Sequence, residues 1–299
     1  MKAALACAAA CAAIAGGWQS GPPLPVPRTE VAAALAGSEI VVAGGYLADR
    51  STTARVDLYD PLRKAWRRGP ALPRPLNHPA ATTLRGQAVV VGGYAGIGNP
   101  TTTAVRLGGN AWRRLPPLPR PRAAAAAVTL DGLLYVVGGV TDGGLARSML
   151  RYDPGRNRWA LLPGPTRRQH LAAAVARGRV YAVGGRIAGA DTNLDIVESW
   201  APGESRWRRE QPLPEPRGGT GAATVGGVVV SVGGEGPQST SGAVYALNVG
   251  TGTWSRLPDL PTPRHGLGLV AFGRAVIAVG GGPQPGFTVT GANESLTLA

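Results

Sequence analysis

Residues 123–139 read AAAAAVTLDGLLYVVGG. A run of small apolar residues ends on Asp131-Gly132, a two-residue hairpin signal, and the β-rich run 133–137 closes on Gly138-Gly139. After a polar loop, 148–152 reads as a third strand, Asp153-Pro154-Gly155 turns it, and 159–162 reads as a fourth. The unit is a four-stranded antiparallel meander. Its glycine doublet recurs as Gly44-Gly45, Gly92-Gly93, Gly138-Gly139, Gly184-Gly185, Gly233-Gly234 and Gly280-Gly281, at separations of 48, 46, 46, 49 and 47 residues. The turn glycine recurs as Gly37, Gly86, Gly132, Gly178, Gly226 or Gly227, and Gly273. A period in the forties that ends each time on an apolar run marks a repeat architecture.

The second strand of every copy is apolar without alternation, from Ile40-Val41-Val42 to Val276-Ile277-Ala278-Val279. Such a strand is buried on both faces. In an antiparallel sheet that requires a neighbouring sheet on each side, which radial stacking of twisted blades supplies. Tryptophan keeps a second register at Trp18, Trp66, Trp112, Trp159, Trp207 and Trp254, with Tyr59, Tyr152 and Trp200 each seven residues ahead of one of them. These rings are expected to pack between adjacent blades, and the glycine doublet to leave room for a neighbour's ring or backbone.

Gly-Gly, an aromatic and then tryptophan at this period resembles the Kelch repeat over residues 18–299. The resemblance implies an all-β, six-bladed β-propeller of four-stranded antiparallel blades. Copies two and five depart from it with Val105 and Leu247 at the aromatic position, and the last copy stops after a strand at 294–298 with no tryptophan following. The N-terminal segment around Trp18 is expected to supply that missing outer strand and close the ring.

The net charge of +14 is almost all arginine, with Lys2 and Lys64 the only lysines. Arg67-Arg68, Arg113-Arg114 and Arg208-Arg209 each follow a tryptophan, so the repeat spreads charge around a rim and makes no stripe for specific nucleic-acid binding. No apolar run is long enough for a membrane-spanning helix. The start is Met1-Lys2, an Ala-rich stretch and a small-x-small pattern at Ala13-Ile14-Ala15. It reads as a signal peptide over residues 1–15, ahead of a propeller over 16–299 that is secreted or periplasmic, with a lipid anchor at Cys11 as a weaker option. Cys7 and Cys11 are the only cysteines, so no disulfide or thiolate metal site is expected in the propeller.

In such a meander the longer b–c loops (46–55, 94–103, 140–146, 186–195, 235–242 and 282–293) share one face with the proline-rich d–a connectors, and tight turns occupy the other. Binding is expected on the loop-rich face. His78, His170 and His265 each lie eight residues before a turn glycine, which places them in equivalent positions of alternate repeats near the axis. Alternate blades are expected to hold them too far apart to share one ion, and no carboxylate is expected in their register, so no metal and no cofactor is expected. The candidate ligand-binding set is Arg28, His78, Arg168, His170, Arg186, Arg217, Glu235, Arg264 and His265, with Asn77 and Gln169 beside them. Their basic rim would favour acidic ligands. Asp142, Asp191, Asp195 and Glu235 are candidates for carboxylates that meet across the face. No hydrolase elbow, zinc-protease helix, P-loop or dinucleotide fingerprint is present. The functional expectation is an exported, monomeric, non-catalytic module that binds a protein or an acidic glycan. The resemblance also implies an enzyme alternative, a secreted sugar-modifying enzyme like the bacterial sialic-acid epimerases of the Kelch class. Copper oxidase chemistry of the Kelch class is excluded, because the propeller has no cysteine to cross-link a tyrosine.

Overall fold

The structure is a computed structural model that describes residues 16–299. The leader expected over 1–15 and both cysteines lie outside the described residues. Six four-stranded antiparallel sheets follow one another in chain order, each with strands a to d in spatial sequence. Blade 1 comprises Ala32–Ala36, Glu39–Ala43, Val56–Asp60 and Ala65–Arg68. Blade 2 comprises Ala80–Leu84, Gln87–Val91, Ala104–Gly108 and Ala111–Arg114. Blade 3 comprises Ala126–Leu130, Leu133–Val137, Ser148–Asp153 and Arg158–Pro163, and blade 4 Ala172–Ala176, Arg179–Val183, Val197–Trp200 and Arg208–Arg209. Blade 5 comprises Gly221–Val225, Val228–Val232, Val244–Asn248 and Thr253–Leu257. Blade 6 takes Gly268–Phe272, Ala275–Val279 and Asn293–Thr297 from the end of the chain and Gln19–Ser20 from its beginning.

That last pairing closes the ring as the tryptophan count predicts. Gln19 faces Ser295 and Ser20 faces Glu294, and the Gly21 N–H continues the ladder to the Asn293 carbonyl at 2.7 Å. The shared strand is only two residues long, so neighbouring contacts reinforce it. Trp18 Nε1 donates to the Pro258 carbonyl at 2.8 Å, and Asn293 Nδ2 to the Pro22 carbonyl at 3.0 Å.

Strand b of every blade is buried over its last four residues, as its unbroken apolar run predicts. Apolar clusters lie between successive blades. Val41, Val56 and Leu58 of blade 1 meet Val90, Val105 and Leu107 of blade 2, and Ile277 and Val279 of blade 6 meet Ile40 and Val42 of blade 1. Strand a faces the axis and lines it mostly with alanine and threonine, with Leu35 and Leu269 among them. Ala33, Thr82, Ala127, Ala173, Ala222 and Ala271 surround an axial channel of about 300 Å³.

The six repeating tryptophans are half-buried and sit at the outer edge. Each of these indoles packs against an interblade cluster and donates its N–H to the end of the preceding blade's last strand or to the connector that follows it. Trp66 reaches the Pro22 carbonyl, Trp112 that of Pro70, Trp159 that of Pro116, Trp207 that of Pro163 and Trp254 that of Gln211, all at 2.8–3.0 Å. The doublets make room for backbone. The second glycine of each donates to the next blade: Gly45 to Leu76, Gly93 to Arg122, Gly139 to Arg168, Gly185 to Arg217, Gly234 to Arg264, and Gly281 to Arg28 across the closure. A Cβ on Gly280 would lie 2.8 Å from the Arg28 carbonyl oxygen, and one on Gly139 2.6 Å from that of Ala123, at φ values of 63° and 88° that strain any other residue.

Trp18→Ala removes the indole that ties blade 6 to the connector after blade 5, and should lower stability by about 3 kcal/mol. Deleting 16–21 also strips the outer strand and should cost more. Equal urea midpoints for the parent and the deletion would show that the ring does not depend on this strand.

Candidate functional site

Where each d–a connector enters strand a, one residue per blade adopts a left-handed backbone conformation: Glu30 (φ 54°), His78 (49°), Ala124 (48°), His170 (52°), Gly219 (67°) and Gly266 (59°). These residues join in a ring of backbone hydrogen bonds around the axis. The His78 N–H donates to the Glu30 carbonyl, Ala124 to His78, His170 to Ala124, Gly219 to His170 and Gly266 to Gly219, at 2.9–3.1 Å. Val31 completes the circuit to the Gly266 carbonyl at 3.3 Å. Side chains on this ring converge because the ring itself is narrow.

This register corrects two expectations. His265 is not equivalent to His78 and His170 but lies one position earlier, level with Asn77 and Gln169, as its bridge to Gly282 matches theirs to Tyr94 and Arg186. Glu30 holds the position assigned to no carboxylate. The cause is the a–b turn. Gly86 and Gly178 are its second residue, after Arg85 and Arg177, whereas Gly37 and Gly273 are its first. Counting back from the glycine therefore slips by one in blades 1 and 6. The sequence signal that keeps register in blades 1, 3, 5 and 6 is a Pro-Arg dipeptide ending two residues before the ring residue, as in Pro27-Arg28-Thr29-Glu30 and Pro263-Arg264-His265-Gly266, with Pro75-Leu76 and Arg167-Arg168 in its place in blades 2 and 4. The expected distance between alternate blades is also too large: the His78 and His170 rings pack edge to face with centroids 4.9 Å apart.

An arc of alternating charge runs around this basin. Arg186 Nη1 lies 2.6 Å from Glu235 Oε1, and Glu235 Oε2 is 3.6 Å from His265 Nε2. His265 Nδ1 lies 3.2 Å from Glu30 Oε1, and Glu30 Oε2 is 3.2 Å from His78 Nε2. Tyr46 and Tyr94 set their rings edge-on against His78. The loop of blade 6 leans over the arc, with the Gly286 N–H toward Glu235 Oε2 and Phe287 against Tyr46.

Burial opposes ionisation of Glu30, but the surrounding imidazoles outweigh it and hold its carboxyl well below the usual carboxylate range. Burial pushes His78 down despite Glu30. It pushes His170 well down, aided by His78. For His265 burial acts downward too, yet the hydrogen bond to Glu30 and the charges of Glu30 and Glu235 raise it above the ordinary value.

Of the candidate set, His78, His170, His265, Arg186 and Glu235 reach this basin. Arg28, Arg168, Arg217 and Arg264 do not. They are fully buried between strands b and c. Arg28 pairs with Asp57, Arg168 with Glu198 and Arg264 with Glu294, and each also donates to a strand-b carbonyl, of Val42, Ala182 and Ala278 respectively. Arg217 donates to the Gly233 and Ala243 carbonyls and lies over the Tyr245 ring. Blade 2 replaces the pair with Leu76 and Val105. Of the four acids expected across the face, Glu235 alone joins the arc: Asp142 and Asp191 are exposed, and Asp142 lines a groove with Arg120 and Arg147. Glu30, Tyr46 and Tyr94 are the basin residues that sequence reasoning missed.

Arg168→Met leaves the Glu198 carboxylate buried without its cation and should cost about 3–5 kcal/mol of stability in urea titration. An unchanged midpoint would contradict the structural role. In the basin, Glu30→Gln removes the main group that raises His265. Because a raised imidazole stabilises the fold below about pH 6.5 and loses that contribution as pH rises through its folded value, the substitution should lower the His265 pKa and weaken this acid-side stabilisation. Imidazole NMR titration reads the shift directly; an unmoved His265 would refute the coupling.

The Kelch motif model matches residues 27–73, 121–166, 167–214 and 216–261, more than half of the chain. No curated protein matches the sequence. Among solved structures, YjhT is similar at 16% identity with a TM-score of 0.78, covering 91% of this chain and 95% of that one, a likeness of fold alone. With six meander blades, a glycine doublet closing each strand b and matched motifs over most of the ring, this chain belongs to the Kelch-repeat family.

Proposed function

We propose that this propeller is an exported binding module that engages a protein partner through its loop-rich face. The observation that carries the reading is the placement of exposed apolar side chains. Ile97, Ile187 and Phe287 are 87%, 53% and 44% exposed, and they stand on the b–c loops of blades 2, 4 and 6 around the polar basin. Apolar side chains displayed around a polar centre suit a partner that buries them. Arg186 and the imidazoles favour an acidic group at the centre, and Arg50, packed over the Phe287 ring, adds charge to the rim. An acidic glycan satisfies the basin but not the three loop tips, which is why a protein is preferred. Export rests on the leader pattern over residues 1–15.

A second reading, turnover of an acidic sugar, is supported by the clustered Glu30, His78 and His265 with their displaced pKa values, an arrangement common in active sites.

The test compares the parent, Ile97→Asp/Ile187→Asp/Phe287→Asp, and Leu62→Asp, which alters an exposed leucine in the c–d turn of the opposite face. A partner captured from secreted protein by the parent and by Leu62→Asp should be lost by the triple variant. Identical capture by all three would contradict the assignment of the face, as would retention only on acidic glycan arrays. Conversion of acidic sugars by the parent, abolished by Glu30→Gln, would favour the second reading. Sequencing the mature N-terminus should return Gly16; an intact Met1 would remove the case for export.

A further inference from the structure

We infer that Glu30, His78 and His170 form a binding site for a divalent transition-metal ion at the propeller axis. The proposal stands independently of the partner-binding reading. One ligand atom from each of the three lies within 4.8 Å of the others. The separation between His78 Nε2 and Glu30 Oε2, 3.2 Å, already matches the edge of a tetrahedron with bonds of about 2.0 Å. The His170 imidazole packs edge to face on that of His78, with ring centroids 4.9 Å apart.

The hydrogen bonds around the cluster fix which atoms face inward. Asn77 Nδ2 donates to Thr52 Oγ1 at 2.8 Å and toward the Tyr94 carbonyl, which turns Asn77 Oδ1 to His78 Nδ1 at 2.7 Å. A carbonyl oxygen accepts only, so Nδ1 carries a proton, and in the neutral ring Nε2 then presents a lone pair to the Glu30 carboxylate. In that state two acceptors face each other over 3.2 Å, and a cation between them relieves the clash of lone pairs. An imidazole that gives one N–H to a carbonyl and aims its other nitrogen at an ion is the usual arrangement of a metal-binding histidine. His170 adds a second independent observation, since its Nδ1 is buried and has no hydrogen-bond partner. A cavity of about 110 Å³ adjoins the three side chains, and the small Ala124, Gly219 and Gly266 complete its wall. That space holds an ion with a water or two. Two imidazoles and a carboxylate form a donor set for a borderline divalent ion such as zinc, and three protein ligands leave a position open to solvent or substrate.

Zn²⁺ and Co²⁺ are the probes, titrated by calorimetry into chelator-treated full-length protein carrying Cys7→Ser and Cys11→Ser, so that the leader thiols cannot compete. One equivalent should bind, raise the melting temperature, and give Co²⁺ the intense visible bands of a tetrahedral site. His170→Ala removes an imidazole whose Nδ1 has no protein partner, so the fold should survive while affinity falls more than about 100-fold. Asn77→Ala, which frees the His78 ring without removing a ligand, should weaken binding by roughly 10–100-fold. Absence of binding in the parent would overturn the site, because a proton shared between Glu30 and His78 would then account for their approach. Undiminished binding by His170→Ala would also overturn it.

Discussion

The N–H of Gly45 donates to the Leu76 carbonyl of the following blade, and the same bond recurs at every interface, ending with Gly281 to Arg28 across the closure. It forms because strand b ends on two residues that turn back with positive φ while a neighbouring backbone presses against them. Only glycine supplies both that conformation and that clearance. The apolar clusters between blades are built mainly of valine, leucine and alanine in varying combinations, with Tyr152 and Tyr181 in two of them. The doublets are not interchangeable, since a methyl group at either position meets a carbonyl oxygen.

This bond also decides where chemistry can sit. Five of its six acceptor carbonyls belong to arginines (Arg28, Arg122, Arg168, Arg217 and Arg264) whose side chains run back between strands b and c. The next two residues are left at the axial mouth, where one pairs with the residue following the doublet and the other joins the left-handed ring. In this architecture the doublet, the arginine and the ring residue form one mechanical unit, and only its last member is directed at the axis.

The fold was legible because its determinants are periodic: doublets, tryptophans and unbroken apolar strands repeat in step. The site was only half legible because its determinants are not. His78 and His170 were placed from the turn glycine, but that ruler slides by one residue where Gly37 and Gly273 open the turn instead of closing it. One slip promoted His265 into the ring and concealed Glu30. The arginines misled for a physical reason: adjacent to ring residues in sequence, they point away from the axis toward Asp57, Glu198 and Glu294. A buried arginine with a carboxylate partner cannot be told from a ligand-binding arginine without knowing which way its side chain leaves the chain.

Stability and function are separable at the ring itself. Ala124, Gly219 and Gly266 occupy it with no polar side chain, and their backbones make the same bonds as those of Glu30, His78 and His170. The ring therefore does not require a carboxylate or an imidazole in order to form. A non-glycine residue held in the left-handed region costs about 1–2 kcal/mol, and glycine removes that cost in blades 5 and 6. Retaining glutamate and histidine in blades 1, 2 and 4 means carrying the strain, the burial of charge and the His170 nitrogen without a partner, all in one place. Ala124 bears the same strain without a polar side chain, so only the buried charge and the unpartnered nitrogen are particular to Glu30, His78 and His170. The axial ion site proposed above would account for both.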